Sequence, residues 1–322
     1  MRKFALFGAA AATLMVTAGV VVAQEGIGRN DPNGNYRTLS DNVKLFGGFD
    51  FAESCTYDPG RDLLVVPNMG NRANAGTDPN GVPFHNDGWV SLINHDGSVN
   101  TFQWLTSNDE TGAFINDPFG SDIVNGVLYI NDRTGGTGPD DPLVAAVTMW
   151  DVASGAWIGY HSVPDSTGFN DLAVTDDGVI YATESSDPGR IFKIEPDGTW
   201  SIFVEGDVLS RPNGIAIDPD GNIVQVSIGS TDVLTFSPAG ELLKTEHSVD
   251  GGDDGLVIMA DGTKYVSSVR FGSVSMIPPG GEATLIAVGM PSGASMCYDP
   301  TAHNLVVPMN NSNALAIIPI GM

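Results

Sequence analysis

Positive charge and cysteine are both scarce in this chain of 322 residues, and helical periodicity is missing beyond its first two dozen residues. Lys and Arg number 14 against 39 Asp and Glu, giving a formal charge of -25. A surface this acidic repels nucleic acid and anionic lipid and attracts cations. Nucleic acid is therefore excluded as a partner, although many of the carboxylates sit in Asp-Pro and Asp-Gly turns and also serve to solvate the surface. With only two cysteines, Cys55 and Cys297, there is no Cys-x-x-Cys pair. No Gly-x-Ser-x-Gly elbow, His-Glu-x-x-His pair or P-loop occurs, which removes the commonest serine hydrolase, zinc protease and nucleotide-binding chemistries.

Long apolar runs are confined to the start. Arg2 and Lys3 precede an apolar stretch from Phe4 to Val22, closed by the small-residue triplet Val21-Val22-Ala23. This pattern predicts a signal peptide over residues 1–23, a mature chain from Gln24, and a periplasmic or secreted location. An uncleaved membrane anchor is the alternative reading of the same run; the cleavage triplet favours removal, after which no membrane contact is expected. Export also permits a Cys55–Cys297 disulfide, with two separate buried thiols as the alternative. Residues 24–41 read as an N-terminal extension and 42–322 as one domain. No oligomerisation signal is visible, and a monomer is expected.

What the sequence has in abundance is a repeat. A short strand, an Asp/Gly turn and a second strand recur as CTYDPGRDLLVVPN from Cys55, SDIVNGVLYIND from Ser121 and NDLAVTDDGVIYATE from Asn170. The same unit returns as NGIAIDPDGNIVQVS from Asn213, DGLVIMADGTKYVSS from Asp254 and SMCYDPTAHNLVVPM from Ser295. After each comes a second hairpin, except that the sixth copy keeps only ALAIIPI. Alternating apolar residues between Pro, Asn, Asp and Gly are strand and hairpin signals. Six four-strand units fit an all-β, six-bladed β-propeller, because a blade cannot bury both faces alone and must pack in a ring. The missing last strand has a donor in Asn42 to Gly47, so the two ends of the chain would share the last blade and leave no exposed sheet edge. Two long connections, Pro67 to Gly88 and Asn131 to Leu143, should rise on the face where the inner strands begin and could cover the channel mouth.

The residues opening the six inner strands converge on the central channel of a propeller: Glu53, Gly120 or Ser121, Asn170, Asn213, Asp254 and Ser295. Asn and Asp are common wherever a chain bends. Four carboxylate or amide side chains at one layer of a repeat, each from a different blade, nevertheless form the oxygen-rich set that calcium favours.

These residues carry a resemblance to the regucalcin and gluconolactonase family (SMP-30/gluconolactonase/LRE-like) of six-bladed propellers. Arg211-Pro212-Asn213-Gly214-Ile215 resembles the family's Pro-Asn-Gly element, whose Asn binds metal. Asp254-Gly255-Leu256 resembles its Asp-Gly element, whose Asp binds metal and serves as base. Asn170-Asp171 resembles the element whose Asn faces metal or substrate, and Glu53 stands in the place of the first-blade glutamate ligand. Departures are Ser54, Cys55 and Thr56 between that glutamate and the aromatic Tyr57, and Leu172 in place of a Gly.

The resemblance implies a divalent metal cofactor, calcium by its ligands, held by Glu53, Asn213 and Asp254, with Asp254 catalytic and Asn170 substrate-binding. It implies hydrolysis of a small-molecule lactone or related ester by metal-activated water. Two further substrate contacts are expected: Arg270, on the site face, and His85, in the first long loop; a surface ion pair and a solvated loop residue are their plainer readings. The rival expectation is a non-catalytic propeller that binds a sugar, peptide or protein partner and keeps only a structural ion.

Overall fold

The computed structural model describes residues 27–70, 87–135, 140–186 and 188–321. The signal segment, His85 and most of the first long connection lie outside them. Within the described residues, 24 strands form six four-stranded antiparallel sheets, and a separate two-stranded hairpin precedes them. Blade 1 runs Thr56–Asp58, Leu63–Asn68, Trp89–Ile93 and Val99–Thr106, and blade 2 runs Ser121–Val124, Val127–Thr134, Val144–Asp151 and Trp157–Val163. Blades 3, 4 and 5 open with the inner strands Leu172–Val174, Pro212–Ile217 and Asp253–Ile258. Inner strands of successive blades touch all the way round, including blade 6 against blade 1, so the ring is closed. No described helix is long and apolar enough to cross a membrane.

Blade 6 is shared, as the repeat count requires. Cys297–Asp299, Asn304–Met309 and Ala314–Pro319 come from the end of the domain, and Lys44–Gly47 supplies the fourth strand, with Leu45 opposite Ala316 and Phe46 opposite Leu315. The same seam carries the Cys55–Cys297 disulfide, whose Cα atoms are 5.4 Å apart. The two thiols of the alternative reading are thus one bridge between the inner strands of the first and last blades.

The periodicity of the sequence follows from how the blades stack. Each gap between neighbouring blades holds one apolar cluster, six in all. In blade 3, Ile180 and Ala182 face blade 2 while the intervening Tyr181 faces blade 4. A strand with a wall on either side is buried along its whole length, as Ile223–Ser227 and Lys264–Ser268 are, with Gln225, Ser227, Lys264, Ser267 and Ser268 as their polar members. Outer strands meet solvent on one side; Leu242–His247 is mostly exposed.

The extension before the propeller is not featureless. Gly28–Asn30 pairs with Tyr36–Thr38, and this hairpin is pinned to blade 5. Arg37 donates to Asp250 at 2.6 Å, and Arg29 donates to the carbonyls of Val269 and Pro291 at 3.0 and 2.9 Å.

Candidate metal and substrate site

Blades 4 and 5 begin alike. In each, the register with the second strand slips near the start, between Pro212 and Ile215 and between Asp253 and Leu256. A bulge of this kind turns a side chain out of the ladder and bends the strand, and here the bulges contain Asn213-Gly214 and Asp254-Gly255. The glycines are needed for approach: a Cβ on Gly214 would lie 2.2 Å from the Asp254 carbonyl oxygen, and one on Gly255 would lie 2.6 Å from the Met296 nitrogen. The "Asn-Gly" and "Asp-Gly" pairs of the sequence therefore combine a polar group for the channel with a residue small enough to let the next blade close in.

Asn170 is set by backbone pairing within blade 3 and across to blade 2, and Glu53 by side-chain hydrogen bonds around it. The Asn170 N–H donates to the Thr183 carbonyl, and its own carbonyl accepts from Gly120, both at 2.8 Å. Thr183 in turn donates its hydroxyl to the Asn213 carbonyl at 2.6 Å. Beside Glu53, the Ser54 hydroxyl donates to the Phe119 carbonyl at 2.7 Å and lies 2.9 Å from the Ser121 hydroxyl. Glu53 accepts from Asn310 Nδ2 at 2.8 Å.

Glu53, Asn170, Asn213 and Asp254 all line one cavity of about 500 Å³ at the channel mouth, together with Asp50, Phe51, Phe119, Ile228, Val269, Asn310, Asn311 and Asn313. Among the described residues, its polar side chains are carboxylates and amides, with no Lys, Arg or His. Arg270 lies on the same face but is exposed and does not line the cavity, where its neighbour Val269 does. Ser295 faces a second cavity, farther down the channel, and donates to Asp171 at 2.9 Å across the ring. The asparagines of blade 6 were not among the sequence candidates. Their one signal was the Asn310-Asn311-Ser312-Asn313 tract, in the same strand-two to strand-three position as the two long loops.

The electrostatics of the mouth are those of crowded acids. Burial pushes the Asp254 carboxyl well above its ordinary value, and Glu53, Asp171 and Asp253 add to the rise. The adjacent Asn213 amide pulls the other way without a hydrogen bond of good geometry. Burial raises Asp253 to about 8 against the opposing hydrogen bond from Ser248, and Asp171 to about 7. Asp50 is also raised, by burial and then by Asp87.

Two observations bear on a cation. Asn213 is 0% exposed with neither amide atom partnered among the described residues, and Asp254 is 2% exposed with Oδ1 likewise unpartnered. Buried polar atoms of this kind are costly unless something outside the protein satisfies them. No three His, Cys, Asp or Glu side chains converge among the described residues, so an ion at the mouth must draw on amide oxygen as well as on carboxylate. Two carboxylates and neutral oxygens suit a hard cation such as calcium, with water completing its shell. The residues present fit the ion.

The sequence pattern of the SMP-30/gluconolactonase/LRE-like region matches residues 143–308. The chain belongs to the SMP-30/gluconolactonase/LRE-like family. Among solved structures, a gluconolactonase from Xanthomonas campestris is 18% identical with a TM-score of 0.58, covering 87% of this chain and 91% of that one. A virginiamycin B lyase from Staphylococcus aureus is 12% identical with a TM-score of 0.58, covering 87% and 99%. At such identities the likeness is one of fold. No curated protein matches the chain in sequence. The family match spans the blades that present Asn170, Asn213 and Asp254, while Glu53 lies before it.

Proposed function

We propose that this member of the SMP-30/gluconolactonase/LRE-like family is an exported, divalent-cation-dependent hydrolase of lactones or related esters, with calcium as the ion its donors suit best. The observation that carries this reading is the unpaired, buried oxygen chemistry of Asn213 and Asp254 in the cavity that also holds Glu53. When bound there, a divalent cation supplies Lewis acidity toward a carbonyl oxygen.

The protein's own groups have separable tasks. Glu53, Asn213 and Asp254 hold the ion. Asp254, buried at the mouth, accepts the proton of the attacking water. Asn170 orients the substrate, and Phe51, Phe119, Ile228 and Val269 give the mouth an apolar rim that thins out competing water. Arg270 meets an acidic substituent from outside the cavity, and His85 keeps the role of substrate contact expected from the sequence. The disulfide is consistent with an oxidising compartment and supports a periplasmic or secreted location for a monomer cleaved after residue 23.

Calorimetric titration of calcium into chelator-treated protein is the first test. Binding is expected, and Asp254→Ala is expected to remove it. With calcium restored, a lactone screen should yield ring-opened products one water heavier than substrate. An elimination product of unchanged mass would point instead to the chemistry of the lyase neighbours. Absence of calcium binding by the wild type overturns the metal mechanism and favours a propeller that only binds its partner.

A further inference from the structure

Across the seam between the last and first blades, a short turn grips the segment that carries Glu53. Asn310–Ser312 forms one 3-10 turn between the second and third strands of blade 6, ended by Asn313 in the left-handed region at φ 52°, ψ 42°. Asn310 is 6% exposed, and both ends of its amide are engaged. Oδ1 accepts from the Asn311 N–H at 2.7 Å and from the Ser292 hydroxyl at 2.8 Å, while Nδ2 donates to Glu53 Oε2 at 2.8 Å. Two donors on one side decide which end is nitrogen, so Glu53 is met by an N–H. A second grip lies nearby: Asn313 Oδ1 accepts the Phe51 N–H at 2.9 Å. Phe51 is itself held at φ 51°, a conformation rare for a bulky side chain and here secured by that bond.

We infer that the Asn310–Asn313 turn is the positioning element for Glu53, with Asn310 orienting the carboxylate and Ser292 orienting Asn310. This rests on Glu53 as a ligand of the proposed cation. The residue type is informative. A lysine at 310 would neutralise Glu53 and compete with the ion, and an aspartate would repel it; a neutral amide fixes the carboxylate while leaving its charge available. Groups that orient a metal ligand in this way commonly change affinity by about 10–100-fold when removed.

The test is calcium calorimetry on the full chain, with unfolding temperatures in chelator as the structural control. Asn310→Leu, close in size but without the donor, is expected to weaken calcium binding by about 10–100-fold. Ser292→Ala, which leaves Asn310 in place, is expected to weaken it by less while unfolding in chelator as the wild type does. Wild-type affinity in Asn310→Leu overturns the proposal and leaves Glu53 as a ligand. Wild-type affinity in Ser292→Ala overturns it equally should Asn310→Leu fail to fold. No calcium binding by the wild type removes the ligand role and the proposal with it.

Discussion

Between blades, the buried side chains are Phe192, Leu64 and Ile318, surrounded by carbon; at the channel mouth they are Asn213 and Asp254, with oxygen or nitrogen atoms that no described residue satisfies. The first environment gains stability from every apolar area removed from water. The second gives up stability by desolvating acids and amides, which is the usual condition of a site awaiting a ligand. A propeller can sustain the contrast because its six walls are independent of the channel they surround.

Substitutions should separate the two regions. The largest effect is expected at the mouth: Asp254→Asn should lower turnover by about three orders of magnitude, as losing a general base and a ligand together would. The same variant should unfold in chelator no earlier than wild type, since a neutral amide relieves the crowding of acids. Early unfolding would break the comparison. Next, Phe192→Ala in the wall between blades 2 and 3 should cost about 3–5 kcal/mol by chemical denaturation while calcium affinity stays unchanged. Replacing both Cys55 and Cys297 by Ala should cost about 2–5 kcal/mol, because the bridge closes a loop of sequence separation 242.

The remaining effect is one of pH. Asp171 and Asp253 keep their protons to about 7 and about 8 in the fold, chiefly through burial, but titrate near the ordinary aspartate value when unfolded. Over that window the folded chain binds more protons than the unfolded chain, so its stability falls as pH rises. Calorimetric scans in chelator should therefore give a lower unfolding temperature at pH 8 than at pH 5. Calcium should narrow the gap by offsetting the charge.

Much of this was legible in residue order. Wall positions recur at every second residue of each strand, so the repeat revealed blade number, strand count and even the donor strand at Lys44–Gly47. Glu53, Asn170, Asn213 and Asp254 could be picked out because each opens a repeat, and the structure brings all four to one cavity. Asn310 could not be, since its identifying contact is with a residue 257 positions away and its tract otherwise reads as turn chemistry. The Gly28–Thr38 hairpin escaped notice for a similar reason: three-residue strands carry too little alternation to register, and what holds them is Arg29 and Arg37 reaching blade 5. For Arg270, being next to a cavity residue in sequence did not put it in the cavity.

The shared sixth blade also sets an order of events during synthesis. Lys44–Gly47 emerges ahead of every blade, yet its partner Ala314–Pro319 belongs to the last of the six. Until then the first strand has nothing to pair with, and the growing ring stays open with an apolar wall uncovered at each end. Cys55 waits likewise for Cys297, and their bridge joins the inner strands of the first and last blades. Oxidation of that pair fastens the completed circle, and a chain with both thiols free is held closed by strand pairing and packing alone.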